Sequence, residues 1–324
     1  MTAIAAENLT TFHQHLATRG LPPGLAEVLE AIALACKSIG HCVRRARIND
    51  HVGVAGGANV HGEIQQKLDL LADETLLHCL REIPAAKLYA SEEQEGVVVL
   101  HPPGGSEGYG ILVDPLDGSS NIDVAVSVGT IFSVLPHDPE APDPTGALLQ
   151  PGRQQVATGY VLYGSSIVLV LATESGVDMY TLDPVLGDFV LVEPDLRIPE
   201  QKKIYSINEA YVNDFEDGLR AYLEFVHGAG YAARYIGSMV ADVHRTLLKG
   251  GVFIYPATRR APRGKLRLMY EANPLGYLIE RAGGAAAAGQ TAILDTKPTD
   301  LHECTPVILG SRTEVEHVTR HLAS

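Results

Sequence analysis

Apolar positions in the N-terminal part of the chain recur with helical spacing. Between residues 25 and 45 they fall at 25, 28, 29, 32, 36, 39 and 43, which is one face of an amphipathic helix. Arg44 and Arg45 follow at its C-terminal end, where the helix dipole favours positive charge. A second helix is predicted over residues 70–82, after a glycine-rich loop.

From about residue 86 to 193 the pattern changes to short runs rich in β-branched and aromatic residues, separated by turn-forming residues. The predicted strands are Val97–Leu100, Tyr109–Val113, Val126–Leu135, Val156–Tyr163, Ile167–Thr173, Val177–Leu182 and Phe189–Val192. The last four are spaced like an antiparallel meander. The Pro- and Asp-rich segment His137–Gly152 is expected to be an exposed loop.

A polar segment with two prolines, Pro194–Lys203, predicts a domain boundary. We expect an N-terminal α+β domain at residues 1–196 and a C-terminal α/β domain at 197–324. In the second domain strands and helices alternate, which is typical of an α/β unit. Its predicted strands are Ile204–Ile207, Val252–Tyr255 and Pro306–Leu309, and its helices are Asp214–His227, Ser238–Lys249, Pro274–Ala282 and a terminal helix.

The composition is that of a globular protein, with 46% hydrophobic and 20% charged residues. Its formal net charge of −14 argues against duplex nucleic acid or an anionic membrane as the main partner. No apolar run is long enough to cross a membrane, and the N-terminus lacks a signal-peptide pattern. The four cysteines have no metal-ligand spacing and favour reduced thiols in a cytoplasmic protein, with a Cys36–Cys42 disulfide left open.

Acidic residues are concentrated in one part of the chain. Residues 63–123 contain twelve Asp and Glu against three Lys and Arg. Glu92 and Glu93 follow one strand-like run, and the segment Asp114-Pro-Leu-Asp117 follows another. Either feature alone is more often a solvated surface or an ordinary turn. Together, at two strand ends, they favour a functional site.

The Asp-Pro-Leu-Asp segment has the chemistry of a metal-binding turn. Pro115 fixes the backbone at the bend, so that the Leu116 carbonyl and the carboxylates of Asp114 and Asp117 can face one point. Oxygen ligands of this kind suit hard cations such as Mg²⁺. The backbone N–H groups of Gly118 and Ser119 can hold a phosphate. Two such cations could assist phosphoryl transfer.

The segment from Asp114 to Asp123 resembles the metal motif of the inositol monophosphatase and fructose-bisphosphatase superfamily. The longer resemblance, over about residues 25–310, is to class I fructose-1,6-bisphosphatases. The segments that carry it are Lys67-Leu-Asp69, Ala90-Ser-Glu-Glu93, Tyr205-Ser-Ile-Asn-Glu209, Tyr235–Leu247, Tyr255-Pro-Ala257 and Gly264–Pro274. The resemblance implies a layered αβαβα sugar-phosphatase fold, of mixed α+β and α/β class, with two mixed-sheet domains.

The resemblance also implies roles for the acidic residues. The Mg²⁺ ligands, with Mn²⁺ as a possible substitute, would be Glu92, Asp114, Asp117, Glu271 and the Leu116 carbonyl. Asp69 and Glu93 would orient and deprotonate the attacking water. Glu63 stands where the family has a loop aspartate and would assist a third, weaker metal position. The 1-phosphate would be held by the segment from Asp117 through Gly118 and Ser119 to Ser120.

The substrate end is implied to lie in the second half, where residues 234–281 contain nine Lys and Arg against three Asp and Glu. The resemblance assigns the 6-phosphate to four side chains of one subunit and Arg234 of a neighbouring one. The four are Asn208, Tyr211, Tyr235 and Tyr255. Lys265 would reach the sugar, and Arg267 would support the metal and phosphate end. Arg259, Arg260 and Arg263 match no family position with a role and are expected to form a solvated basic loop.

The chain departs from the family pattern at the segment that binds AMP. Family members that AMP inhibits have a Gly-Thr-Gly-Glu-Met-Thr-like stretch where this chain has Gly20–Glu27. A family lysine that contacts the AMP phosphate is replaced by Gly108, although Tyr109 remains. AMP inhibition of the usual kind is therefore not expected. Because residues 137–152 contain no cysteine, thioredoxin control is not expected either.

The resemblance therefore implies Mg²⁺-dependent hydrolysis of the 1-phosphate of fructose 1,6-bisphosphate by a homotetramer, in gluconeogenesis or the Calvin cycle. A bifunctional enzyme or a sedoheptulose-1,7-bisphosphatase stays open as the alternative. An inositol-phosphate phosphatase is disfavoured by Asn208, Lys265 and the 235–247 segment. An inactive phosphosugar sensor is disfavoured because all seven proposed carboxylates are present.

Overall fold

The computed structural model describes residues 9–49, 53–58, 64–102 and 108–323. The helices in these ranges are α1 (Phe12–Thr18), α2 (Leu25–Arg44), α3 (Lys67–Arg81), α4 (Pro144–Leu148), α5 (Asp217–Gly228), α6 (Met239–Lys249), α7 (Asn273–Arg281) and α8 (Arg312–Leu322). A π-helical turn, Leu268–Ala272, leads directly into α7. None of these helices combines the length and apolar composition that a membrane crossing requires.

The strands of the described residues fall into two large sheets and two short antiparallel pairs. In the N-terminal half they are β1 (Val54–Ala58), β2 (Ile64–Gln66), β3 (Ala86–Ser91), β4 (Val98–Val99), β5 (Tyr109–Asp117), β6 (Val128–Pro136), β7 (Ala157–Tyr163), β8 (Ile167–Thr173), β9 (Gly176–Asp183) and β10 (Asp188–Glu193). In the C-terminal half they are β11 (Ile204–Ser206), β12 (Ala232–Ala233), β13 (Val252–Tyr255), β14 (Leu266–Arg267), β15 (Ala285–Ala288), β16 (Thr291–Ala292), β17 (Cys304–Thr305) and β18 (Val307–Gly310).

Both large sheets are mixed. The first has the order β10-β9-β8-β7-β6-β5-β3-β4, in which only β3 and β5 run parallel. The second has the order β12-β11-β13-β18-β15-β16, with β11 parallel to both of its neighbours. The predicted domain boundary at residue 196 lies in the chain segment that joins β10 to β11. The boundary itself stays a prediction.

Three of the hydrophobic clusters that the described residues form arrange these elements in five layers. On the outer side of the first sheet, Val28 of α2 and Leu76 of α3 are buried with Val161 of β7. Between the sheets lie α6 and α7, whose apolar residues are buried against both sheets. Beyond the second sheet, α5 and α8 are buried against its outer face. The predicted layered α/β arrangement is confirmed.

The periodic segments form the helices and strands that their spacing predicts, including the β7–β10 meander. The segment 137–152 is not simply an exposed loop, because it contains α4. Asp143 caps this helix by accepting a hydrogen bond from the Gly146 N–H at 2.7 Å, and Ala147 and Leu148 are buried. All four cysteines are free thiols, so the Cys36–Cys42 disulfide is absent.

Candidate active site

Two of the predicted carboxylates lie on a buried strand with an irregular pairing. Asp114 pairs with Ile131 and Asp117 with Gly129, so Pro115 and Leu116 together oppose the single residue Thr130. This is the geometry of a β-bulge, which bends a strand and redirects its side chains. The Asp-Pro-Leu-Asp segment is therefore a bulge within β5, and its prediction as a turn after the strand is wrong.

The bulge is fixed by side-chain hydrogen bonds from the neighbouring strands. The Thr130 hydroxyl donates to the Pro115 carbonyl at 2.8 Å and lies 2.8 Å from the Tyr163 hydroxyl. The Asp114 carboxylate accepts from the Leu116 N–H at 3.0 Å. At Gly129 an added Cβ would lie 2.5 Å from the Val161 carbonyl oxygen, so that position requires glycine. The two carboxylates are thus held on a rigid framework.

The third carboxylate of the cluster comes from the C-terminal half. Glu271 lies in the π-helical turn before α7, and carboxylate oxygens of Asp114, Asp117 and Glu271 all lie within 4.8 Å of one another. All three residues are buried. Burial, then repulsion from neighbouring carboxylates, raises the pKa values of Asp114 and Glu271 well above their ordinary range. Negative charges so close together need a cation.

Asp117 is held in addition by the start of α6. Its carboxylate accepts a hydrogen bond from the Val240 N–H at 2.8 Å. Burial raises the pKa of Asp117 to about 6, although this hydrogen bond acts in the opposite direction. Because α6 belongs to the layer between the sheets, this contact joins the bulge of β5 to the C-terminal half of the chain.

Glu92 and Glu93 follow the end of β3, as predicted. The Glu92 N–H donates to the Val113 carbonyl at 3.1 Å, and the Glu93 N–H donates to the Ser91 hydroxyl at 3.2 Å. Both carboxylates contribute to the raised pKa of Asp114, so their charges act on the cluster. The donor set is made only of oxygens, which fits Mg²⁺ or Mn²⁺ better than a soft metal.

Arg267 contacts both this cluster and the backbone of Lys265. It is buried, and its Nε lies 3.4 Å from Glu92 Oε1. Its backbone N–H donates to Glu271 Oε2 at 2.5 Å, and its Nη1 donates to the Lys265 carbonyl at 2.9 Å. Arg267 thereby orients the side chains of Glu92 and Glu271 and holds the backbone at Lys265.

Five of the predicted substrate residues line one pocket of about 210 Å³. They are Asn208, Tyr211, Tyr235, Tyr255 and Lys265. Asn208 accepts a hydrogen bond from the Ala210 N–H at 3.1 Å, which fixes the loop entering the pocket. Tyrosine hydroxyls, an amide and an ammonium group suit a phosphate ester on a sugar.

The comparison with known proteins assigns the family. A family model described as fructose-1-6-bisphosphatase, N-terminal domain, matches residues 8–194, and one described as its C-terminal domain matches residues 198–323. The chain belongs to the fructose-1,6-bisphosphatase family.

Individual relatives cover nearly the whole chain. The fructose-1,6-bisphosphatase class 1 1 of Salinibacter ruber is 46% identical, covering 98% of this chain and 93% of that protein. The fructose-1,6-bisphosphatase 1 of Bos taurus is 45% identical, covering 90% and 87%. The crystal structure of Leishmania major fructose-1,6-bisphosphatase in holo form matches with a TM-score of 0.93 at 37% identity, covering 98% and 99%.

Among the other predicted site residues of this fructose-1,6-bisphosphatase family member, Asp69 lies in α3 and Gly118 to Ser120 follow β5. Asp69 is buried in the first turn of α3, and Glu63 lies outside the described residues. Gly118 has a φ of 75° and leads from β5 into the helical turn that begins at Ser119 and Ser120. Their roles stay predictions.

Arg234 is exposed, and its Nη1 donates to the Ala233 carbonyl at 2.7 Å. It is not among the described residues that line the pocket of Tyr211 and Lys265. Its predicted role from a neighbouring subunit stays a prediction. Sequence reasoning also missed pocket residues, among them Asp214, Thr258 and Arg260. The basic loop gave a signal for Arg260, but a single arginine in a basic run is usually solvated.

Proposed function

We propose that this chain hydrolyses the 1-phosphate of fructose 1,6-bisphosphate, releasing fructose 6-phosphate and inorganic phosphate, with Mg²⁺ as its cofactor. The observation that supports this best is the buried group Asp114, Asp117 and Glu271, linked through Arg267 to the pocket that contains Lys265. One end suits divalent cations, and the other suits a sugar phosphate. The family relationship supports the same reaction.

The residues proposed to hold the metal ions are Asp114, Asp117, Glu271, Glu92 and the Leu116 carbonyl. When bound, divalent ions would neutralise phosphate charge and lower the pKa of a coordinated water. Mn²⁺ offers similar oxygen coordination and is a possible substitute. Buried carboxylates that repel one another support this assignment, because a cation relieves their repulsion.

In the proposed mechanism Glu93 and Asp69 orient the attacking water and accept its proton. The water oxygen forms a bond to phosphorus on the side opposite the C1 oxygen. The bond between phosphorus and the C1 oxygen breaks, and that oxygen takes up a proton. Backbone N–H groups from Gly118 to Ser120 are proposed to hold the 1-phosphate, and Asp117 adjoins them.

At the other end, Asn208, Tyr211, Tyr235 and Tyr255 are proposed to hold the 6-phosphate by directed hydrogen bonds. Lys265 is proposed to contact the sugar. Arg267 would act mainly through the carboxylates that it orients. Holding both ends of the substrate fixes the distance between the 1-phosphate and the attacking water, which is a large part of catalysis in phosphoryl transfer.

We further propose a homotetramer in which Arg234 reaches the 6-phosphate site of a neighbouring subunit. The exposed position of Arg234 supports this arrangement. The four free thiols support a reducing compartment such as the cytoplasm. The reaction would serve gluconeogenesis or the Calvin cycle.

The direct test is phosphate release from fructose 1,6-bisphosphate by the purified chain, with Mg²⁺ and with a chelator. Release should require the metal, and the sugar product should be fructose 6-phosphate, not fructose 1-phosphate. No release in Mg²⁺ would refute the proposal. Sedoheptulose 1,7-bisphosphate in the same assay tests the alternative substrate, and inositol monophosphate should not be hydrolysed.

A further inference from the structure

The pocket that contains Lys265 also has a basic side chain that was not among the predicted site residues. Besides Lys265, the pocket is lined by Arg260 and by the acidic residue Asp214. A sugar phosphate bears close to two negative charges at neutral pH. Because Asp214 offsets the charge of Lys265, the positive balance among these three residues depends on Arg260.

Arg260 is held in a defined place although its side chain is 83% exposed. Its Nε lies 3.2 Å from Asp214 Oδ2, and the adjoining Arg259 N–H donates to the Asp214 carbonyl at 3.0 Å. The turn itself is closed by hydrogen bonds between Thr258 and Ala261, at 3.1 Å in both backbone directions. The backbone carbonyl of Asp214 thus holds the loop, and the Asp214 side chain holds the Arg260 guanidinium.

In this arrangement the Arg260 guanidinium can contact Asp214 and a ligand at the same time. A guanidinium has five N–H donors in a planar fork, so the contact through Nε can coexist with contacts through the terminal nitrogens. An exposed ion pair such as Arg260–Asp214 contributes little to the stability of a fold. The pair is therefore better explained by its position at the pocket than by a contribution to folding.

We propose that Arg260, oriented by Asp214, is a specificity-determining residue that favours sugars with a second phosphate over singly phosphorylated sugars. The inference rests on the proposed function, because it assigns the pocket to the phosphate remote from the reacting one. It differs from the sequence expectation, in which Arg260 belongs to a solvated loop.

The test compares Arg260→Ala with Arg259→Ala on two substrates. Arg259 is an exposed arginine of the same loop that does not line the pocket, so its variant makes the same change in charge. On fructose 1,6-bisphosphate, Arg260→Ala should lower kcat/KM about tenfold, mainly through KM, whereas Arg259→Ala should stay within about twofold of wild type. On fructose 1-phosphate, which lacks the second phosphate, both variants should match wild type within about twofold.

Binding without turnover gives an independent measurement. Calorimetry should show about tenfold weaker binding of fructose 6-phosphate to Arg260→Ala and unchanged binding to Arg259→Ala. If Arg260→Ala is poorly folded, Arg260→Gln retains the length of the side chain without its charge and should give the same result.

Equal effects of the two alanine variants, or an equal loss on both substrates, would overturn the role of Arg260. Those results can be told apart from failure of the proposed function, in which wild type itself releases no phosphate from fructose 1,6-bisphosphate.

Discussion

The two ends of the candidate site are built in opposite ways. At the proposed metal end, Asp114, Asp117 and Glu271 are buried and fixed by a strand bulge and a π-helical turn. At the proposed phosphate end, Tyr211 and Tyr235 are 50% and 43% exposed and lie on loops and short helical turns. One end concentrates charge away from water, and the other presents hydroxyl groups to it.

This difference determines what a substitution should do. A buried carboxylate among others destabilises the metal-free protein, because burial and repulsion both disfavour its charge. Changes there should therefore alter turnover and metal-free stability together. A half-exposed tyrosine has little desolvation to lose, so its removal should alter affinity alone.

Asp117→Asn should lower kcat about a thousandfold or more, because the amide retains the shape and an acceptor for the Val240 N–H but loses a ligand charge. In metal-free buffer the same variant should unfold at a higher temperature than wild type. Steady-state kinetics and thermal unfolding measure the two effects. Near-wild-type turnover would contradict the ligand assignment.

Thr130→Val should weaken Mg²⁺ binding about tenfold and lower the free energy of unfolding by about 2 kcal/mol. Valine retains the volume but leaves the Pro115 carbonyl and Tyr163 hydroxyl without their buried partner. Thr130→Ser retains the hydroxyl and is the matched control. If the serine and valine variants bind Mg²⁺ alike, the hydroxyl does not position the bulge.

His244 lies on α6, the helix whose start contacts Asp117, and its Nδ1 is 2.8 Å from the Tyr160 hydroxyl. Burial lowers its pKa to about 4, below the ordinary value of 6.5. Between these values the unfolded chain binds the proton more readily, so stability is lost as pH falls from 6.5 towards 4.

This one group should destabilise the wild type by about 1 kcal/mol at pH 5.5 relative to pH 8. Denaturant unfolding of wild type and His244→Gln at both pH values measures the difference. The variant should lose less stability on acidification, and an equal loss in both proteins would show that His244 does not titrate in this window.

Tyr211→Phe should raise KM for fructose 1,6-bisphosphate about fivefold and leave kcat and thermal stability unchanged, because one half-exposed hydroxyl is removed from the pocket. Kinetics with fructose 1-phosphate serve as the control and should not change. A fall in kcat of similar size would mean that the two ends are not separable.

The layered fold follows largely from periodicity, since apolar spacing identified α2, the meander and most C-terminal elements. The misses have physical causes. The short helix α4 lies in a Pro-rich segment, although its Asp143 cap and Pro144 were visible signals. The bulge in β5 depends on pairing with β6, and pairing across strands is not encoded in local spacing.

The site residues likewise divide into those that the sequence alone predicted and those that it did not. Carboxylate density and the Asp-Pro-Leu-Asp segment indicated a metal site from residues alone, whereas Glu271 and the 6-phosphate residues depended on the family resemblance. The place of Arg260 could not be predicted from local sequence, because it follows from a contact with Asp214, 46 positions earlier in the chain.

Calorimetric titration of Mg²⁺ into wild type and Asp117→Asn determines whether the buried carboxylates bind the catalytic cation. Fructose 6-phosphate and inorganic phosphate should both be present, so that the products occupy the site and no substrate is hydrolysed during the titration. The variant should bind Mg²⁺ at least about tenfold more weakly than wild type. Equal affinity and stoichiometry in the two proteins would contradict it.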